Sequence, residues 1–306
     1  MTMVEFREVS KKFGKVEALK NISFTIPEKT VTAFLGPNGA GKTTSMKLVM
    51  GFLKPTKGVV FVWGEEPWRS EGVRSRIGYL PERPVYPMDI AVENFLNHLA
   101  KLKKLSKIDV NRVIRLVGLE NLVDRKIGTL SRGYIQRVGI AQSLLGDPEL
   151  LILDEPTANL DPSARREIIE LLKTLHKELK VSMIISSHII PELQEIANYA
   201  VIINSGIALE YGYLNDLWRK YEIEAIFIIK TVDVEAAARI LIDKSYVHYV
   251  KKVSNSLEVS IDPEHYKSFE NLLTELSGLI KNYTFKTASL GDLYEKVVKS
   301  GSQESV

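Results

Sequence analysis

A nine-residue stretch near the start of the chain constrains the fold more than any other feature. It begins with Gly-x-x-x-x-Gly-Lys-Thr and lies between a mostly apolar run at 30–35 and a helical pattern at 44–50. Glycines let the backbone bend tightly, and N–H groups at a helix start favour an anion. The pattern therefore predicts a buried strand, a helix and, between them, a phosphate-binding loop made of Gly36, Pro37, Asn38, Gly39, Ala40, Gly41, Lys42, Thr43 and Thr44.

Two side chains of this loop have specific chemistry. In loops of this pattern the lysine, here Lys42, reaches the β- and γ-phosphates, and the following hydroxyl, here Thr43, ligates Mg²⁺. A glycine turn that binds nothing is the alternative, but it does not explain the flanking strand and helix. The stretch therefore predicts nucleotide binding.

Polar residues follow two other apolar runs. Asp154 and Glu155 come directly after four aliphatic residues at 150–153, and His188 follows a strand pattern at 181–186. Ligands of open α/β sheets lie at the carboxyl ends of strands. One carboxylate can hold Mg²⁺ through its water shell, and the next can activate a water. We therefore expect a catalytic edge with these three residues, the alternatives being solvated acids and a structural histidine.

Two further features remain ambiguous when taken alone. Ser131 is placed to cap a helix that runs to Leu145, and with Gly133 it forms either a second phosphate grip or a plain capped helix. Phe13 lies on a turn 23 residues before Gly36. It can stack on a base, although ordinary packing is the simpler interpretation.

The patterns predict two domains. An ATPase-like part spans 1–220 and starts with β-strands; it contains a helical insert at about 83–145, after a proline-rich loop at 81–87. Residues 221–306 have the order β-α-β-β-α-β of a ferredoxin-like domain, followed by an amphipathic helix. That domain contains no catalytic motif, so we expect an accessory role such as dimerisation, partner contact or ligand sensing.

Composition excludes several classes of function. The 41 basic and 38 acidic residues give a formal charge of +3, so nothing demands nucleic acid as a partner. The chain has no cysteine, which excludes disulfides and thiol catalysis. We expect no signal peptide, and no apolar run reaches 18 residues. Any membrane role is therefore expected to depend on a partner.

Taken together and in order, the motifs over residues 3–220 resemble the ATP-binding subunits of ATP-binding-cassette (ABC) transporters. The resemblance implies an α/β P-loop NTPase fold of ABC type, with a mixed sheet core, an N-terminal antiparallel β-subdomain and a helical insert. It also implies a role for each motif. Phe13 stacks on adenine, the loop Gly36–Thr44 holds the phosphates of ATP, and Glu82 lies in the coupling loop near Mg²⁺. The signature that contacts the partner's ATP consists of Ser131, Arg132, Gly133 and Tyr134. Asp154 is the metal-linked acid, Glu155 is the catalytic carboxylate, Asp161 is the interface aspartate and His188 contacts the γ-phosphate.

The same resemblance implies the assembly. Two cassettes meet head to tail, as a homodimer or with a paired ABC subunit, and drive an integral membrane permease. The chain is then cytoplasmic and peripheral on the inner face of the cell membrane. The C-terminal stretch from Ser289 to Tyr294 is similar to drug-resistance and sodium-extrusion subunits, which favours export.

Two positions depart from the family pattern. Glu82 replaces the usual glutamine of the coupling loop, and the signature reads Leu-Ser-Arg-Gly-Tyr instead of Leu-Ser-Gly-Gly-Gln. Arg132 loses glycine's backbone freedom but adds a charge suited to phosphate, and Tyr134 removes an amide.

Two alternatives have different functions. An ABC-type ATPase acting on DNA or ribosomes usually carries a long coiled coil or a second cassette, and neither is present. A phosphotransferase with the same loop does not explain the signature.

Overall fold

The computed structural model describes residues 1–187, 190–286 and 289–303, and the chain divides into two compact units, Met1–Gly212 and Tyr213–Val306. In the described part, no helix has both the length and the apolar character needed to cross a bilayer. The predicted functional boundary at residue 220 stays a prediction, because compactness does not show where an activity ends.

The first unit contains two sheets. Its strands are β1 (Thr2–Phe13), β2 (Val16–Pro27), β3 (Val31–Leu35), β4 (Lys57–Val62), β5 (Ile77–Leu80), β6 (Leu150–Asp154), β7 (Ser182–Ser186), β8 (Tyr199–Asn204) and β9 (Ile207–Tyr213). Strands β2, β1 and β4 form an antiparallel sheet. The predicted N-terminal β-subdomain is therefore confirmed.

The larger sheet has the order β5-β6-β7-β3-β8-β9. Its first five strands are parallel, so the carboxyl ends of β3, β6 and β7 meet at one edge. Ser205 and Gly206 both have positive φ, the geometry of a type I′ turn, which joins β8 to β9 as an antiparallel hairpin. The sheet is therefore mixed, as predicted for this fold class.

Helices surround this sheet and form the insert. They are α1 (Lys42–Val49), α2 (Glu71–Ser75), α3 (Val92–Leu102), α4 (Lys107–Leu116), α5 (Arg132–Leu144), α6 (Pro162–Leu179) and α7 (Ile190–Gln194). Helices α3, α4 and α5 pack on one another as the insert. The start of the insert contains two separate helices, α3 and α4, because Ser106 and Asp109 form a capping box at which α4 begins.

The second unit has the predicted ferredoxin-like topology. It contains α8 (Leu214–Lys220), β10 (Ala225–Thr231), α9 (Val234–Ile242), β11 (Val247–Val253), β12 (Ser256–Ile261), α10 (Tyr266–Glu275), β13 (Ile280–Lys286) and α11 (Leu290–Gln303). The four strands form an antiparallel sheet in the order β11-β12-β10-β13. Phe227, Phe269 and Leu257 are among the residues of its own hydrophobic core. Helix α8 was not predicted from the sequence.

Candidate nucleotide-binding site

The phosphate-binding loop connects β3 to α1, as its pattern predicts. Gly36 lies so close to β8 that a Cβ atom there would be 2.1 Å from the carbonyl oxygen of Ile203. Gly41 has φ +110° and caps α1, and a Cβ there would be 2.9 Å from the carbonyl oxygen of Ala18. Glycine is therefore required at both positions by close contacts and, at Gly41, also by backbone conformation.

Lys42 is folded back into the loop. Its side chain is 7% exposed, and Nζ donates to the carbonyl oxygens of Gly36 at 2.6 Å and Pro37 at 3.1 Å. Burial lowers the pKa of Lys42, while the nearby carboxylates of Glu155 and Asp154 oppose this shift. A cation is therefore held in the centre of a loop whose N–H groups favour anions.

Asp154 is the centre of a buried hydrogen-bond network at the ends of β6 and β7. Thr43 Oγ1 donates to its Oδ2 at 3.0 Å, and Ser186 Oγ donates to its Oδ1 at 2.6 Å. Asp154 is 3% exposed and Ser186 is fully buried. The network joins the phosphate-binding loop to two strand ends and fixes the orientation of one carboxylate.

Glu155 begins the turn after β6 in a conformation that is uncommon outside glycine. Its φ is +53°. Its backbone N–H donates to both the hydroxyl and the carbonyl oxygen of Ser186, at 3.0 and 3.1 Å. Ser186 therefore positions both acids. The sequence shows only a serine at a strand end, and reasoning from it missed this role.

An open cleft of about 700 Å³ collects most of the predicted site residues. Its walls include Phe13, Asn38, Gly39, Gly41, Lys42, Thr43, Thr44, Glu82, Asp154 and Glu155. The lining residues that the sequence did not predict are Ala18, Arg83, Ala158, Asn159 and Arg165. The structure therefore brings an aromatic side chain, a phosphate-binding loop and three carboxylates to one opening.

The aromatic and acidic rim of this cleft is partly open to solvent. Phe13 is 47% exposed, and Lys11 Nζ lies 5.1 Å from the centre of its ring. Glu82 is half-exposed, with Arg83 Nε at 3.5 Å. Burial, together with the nearby charges of Asp154 and Glu82, raises the pKa of Tyr79 to about 12. The rim is therefore accessible to a ligand, whereas Asp154 is not accessible to bulk water.

The signature residues do not line the cleft, although Arg132 contacts one residue of its wall, Asn159. Ser131, Arg132, Gly133 and Tyr134 are not among the described residues that line it. Ser131, Arg132 and Tyr134 are exposed, and Arg132 Nη1 donates to the carbonyl oxygen of Asn159 at 3.2 Å. Ser131 occupies the N-cap position of α5, but its hydroxyl makes no capping hydrogen bond with any described residue. The predicted capping bond is therefore wrong, and the hydroxyl is not used by its own helix.

Asp161 is the N-cap of α6. Its carboxylate accepts hydrogen bonds from the N–H groups of Ala164 and Ser163, both at 3.0 Å. These bonds, the one from Ala164 most strongly, hold the pKa of Asp161 below its usual value. His188, predicted as a catalytic residue, lies outside the described residues.

The donor set of the cleft fits a hard cation. No group of three or more His, Cys, Asp or Glu side chains in the described ranges is arranged to hold a metal ion. Mg²⁺, however, keeps several waters and binds through one or two protein oxygens plus substrate phosphates. Thr43 and Asp154 present such oxygens beside the phosphate-binding loop, and Glu82 lines the same opening.

Known proteins are similar to this chain. Residues 19–158 match the family described as ABC transporter. The chain is 32% identical over 303 residues to an uncharacterized ABC transporter ATP-binding protein, YxlF of Bacillus subtilis (strain 168), covering 97% of this chain and 99% of YxlF. Such a relative aligns with both units, not with the first alone.

Solved structures agree with the fold of about 70% of the chain. The cbiO1 protein of Clostridium perfringens, part of the transporter complex cbiONQ, has a TM-score of 0.66 and 30% identity over 72% of this chain and 92% of its own. A dimeric ATP-binding cassette bound to ADP and Pi has a TM-score of 0.61 and 26% identity over 69% of this chain and 99% of its own.

None of these matches favours an ATPase that acts on DNA or ribosomes, and the cassettes among them are dimeric or belong to transporter complexes. The chain therefore belongs to the ATP-binding proteins of ABC transporters, the family that hydrolyses ATP to power transport.

Proposed function

We propose that the cleft binds ATP with Mg²⁺ and that the signature of a second cassette completes it. The observation that carries this proposal is the separation of two half-sites on one chain. The phosphate-binding loop, Asp154 and Glu155 share an open cleft, while Ser131 and Arg132 are exposed and do not line it. A head-to-tail dimer places each exposed signature against the other chain's cleft, and Asp161 beside the interface.

Each side chain of the cleft then has a distinct task. Lys42 exchanges its two carbonyl acceptors for phosphate oxygens, and Thr43 and Asp154 hold Mg²⁺, with Glu82 near it. The metal offsets the charge of the phosphates. Phe13 stacks on the base from the exposed rim.

Hydrolysis needs a water aligned with the γ-phosphate. The carboxylate of Glu155 polarises this water: Glu155 lines the cleft, and the hydrogen bond from its N–H to Ser186 fixes the turn that carries it. His188 contacts the γ-phosphate, and Lys42 stabilises the charge that develops there. Arg132 and the hydroxyl of Ser131 contact the phosphate from the partner chain, with Gly133 and Tyr134 beside them.

We further propose that the dimer drives an integral membrane permease from the cytoplasmic side. The partner cassette is a second copy or a paired ABC subunit, and nucleic acid is not a partner. The loop 81–87 and the insert transmit the movement, with residues 1–220 acting as the ATPase and 221–306 as an accessory domain. Export is the direction that the C-terminal resemblance supports.

The Glu155→Gln variant tests this function. It keeps the size of the side chain and removes its basic carboxylate, so it is expected to bind ATP, to hydrolyse it at least 100-fold more slowly and to accumulate as an ATP-bound dimer. Sedimentation velocity with Mg²⁺–ATP and a phosphate-release assay measure both properties. A variant that stays monomeric and keeps full turnover would refute the proposal.

A further inference from the structure

The burial of Tyr86 is energetically unfavourable for its hydroxyl. The residue is 6% exposed, and its oxygen is enclosed without a hydrogen-bond partner among the residues that the structure describes. Buried hydroxyls nearly always have a partner, so an exception calls for a physical explanation. Phenylalanine would fill the same space without the cost of desolvating a hydroxyl.

The hydroxyl of Tyr86 rests against bare backbone of the signature helix. A Cβ atom at Gly139 of α5 would lie 2.5 Å from Tyr86 Oη and 2.6 Å from Leu80 Cδ1. The ring of Phe95 in α3 contacts Tyr86 edge-on, with ring centres 5.6 Å apart. The Tyr86 hydroxyl therefore occupies a small recess in the surface of α5 at Gly139, called the notch below, which exists only because residue 139 has no side chain.

This contact joins two parts of the proposed ATP site. Tyr86 follows Glu82 by four residues in the proline-rich loop, and Glu82 lines the nucleotide cleft. Gly139 belongs to the helix that begins directly after Ser131. The short segment from Glu82 to Tyr86 therefore offers a route by which a displacement of Glu82 reaches α5 or pulls Tyr86 out of its notch.

We propose that Tyr86 is a positioning residue that makes the nucleotide-free arrangement of α5 easy to leave. Its hydroxyl is unpaired in the notch and regains hydrogen bonds to water once the loop shifts. This gain in hydrogen bonding lowers the free energy of the shifted state relative to the nucleotide-free state. Less of the binding energy of ATP is then needed to move the signature. This inference rests on the proposed function, because it assigns the loop and α5 to the same ATP-driven step.

The Tyr86→Phe variant tests it in the full chain carrying Glu155→Gln. Without nucleotide, the melting temperature should rise, because the unpaired hydroxyl is gone. Equilibrium binding of Mg²⁺–ATP should become about tenfold weaker, since one unsatisfied buried hydroxyl corresponds to about that factor. A gain in stability together with a loss of ATP affinity is not expected of a residue that serves packing alone.

Tyr199→Phe is the matched control. Tyr199 is also buried, but its hydroxyl donates to the carbonyl oxygen of Thr25 at 2.9 Å. Removing it should lower the melting temperature and leave ATP binding unchanged. If Tyr86→Phe behaves like this control, or leaves both quantities unchanged, the proposal is overturned.

Gly139→Ala gives a second, geometric test. The next ring atom, Tyr86 Cζ, is 3.7 Å from the added Cβ, so the clash with the tyrosine involves the hydroxyl. Gly139→Ala should therefore destabilise the parent chain more than the Tyr86→Phe background, and equal losses would contradict the contact. If the Glu155→Gln chain stays monomeric in ATP, the proposed dimer fails, whereas the binding shift still decides the role of Tyr86.

Discussion

Ser186→Ala is the substitution whose effect follows most directly from the geometry of the site. The hydroxyl donates to Asp154 Oδ1 at 2.6 Å and accepts from the N–H of Glu155 at 3.0 Å. A buried hydrogen bond to a charged group contributes about 1.5–3 kcal/mol. The second bond matters less, because the N–H of Glu155 retains the backbone carbonyl oxygen of Ser186 at 3.1 Å. We therefore expect Ser186→Ala to lower the free energy of unfolding by about 1.5–3 kcal/mol.

For a unit of the size of Met1–Gly212, this loss corresponds to a melting temperature lower by about 3–12 °C. Asp154 also loses the shorter of the two side-chain hydrogen bonds that orient it, so half-maximal ATPase activity should need about tenfold more Mg²⁺. Differential scanning calorimetry and a Mg²⁺ titration of ATPase activity measure the two effects.

Ser143→Ala is the control for this substitution. Ser143 is similarly buried, but its hydroxyl donates to a neutral group, the carbonyl oxygen of Ile140 in its own helix. Ser143→Ala should lower the free energy of unfolding by less than about 1 kcal/mol, since alanine also favours a helix. If the two variants have the same stability and the same Mg²⁺ dependence, the network around Asp154 does not position the acid.

Two further predictions concern the loop and the cap of α6. Gly36→Ala should strongly destabilise the nucleotide-free chain, because its Cβ would overlap the carbonyl oxygen of Ile203. The Cβ of Gly39→Ala meets no described atom within 4 Å, so this variant should lose only about 1–2 kcal/mol of stability to backbone strain at φ +79°. Equal losses of stability in thermal unfolding of the two variants would contradict the contact at Gly36. Because the folded-state pKa of Asp161 is lowered, its contribution to stability is present above the ordinary value of 3.8 and is lost as pH falls through the lowered pKa. Asp161→Asn should keep the cap and remove this pH dependence, while Asp161→Ala should remove both. Urea unfolding from pH 7 to well below pH 3.8 distinguishes them, and a parent-like pH profile in Asp161→Asn would contradict the assignment.

Sequence patterns predicted the elements whose causes are local. The loop at 36–44 was identifiable because glycine spacing and a flanking strand and helix leave few alternatives. The C-terminal β-α-β-β-α-β order followed from alternating apolar residues and turns. Such signals depend on neighbours within a few residues.

Features that depend on distant contacts were not predictable. Ser186 is 32 residues from Asp154, and only the parallel pairing of β6 with β7 brings their side chains together. Tyr86 lies in a segment where prolines indicate a loop, and no local pattern shows that its ring enters a notch at Gly139. The hydroxyl of Ser131 could be expected to cap its helix, but the structure leaves it exposed.

The central claim is that two chains share each ATP site, and mixing two inactive variants tests it most directly. Lys42→Met removes the phosphate contact of one chain but keeps its signature, and Ser131→Arg blocks the signature of the other but keeps its phosphate-binding loop. Each variant alone should be inactive. Mixed together, they should regain ATPase activity, because a mixed dimer contains one site with both intact halves. Two variants that each fold and bind as designed, yet stay inactive in every mixture, would contradict the shared site.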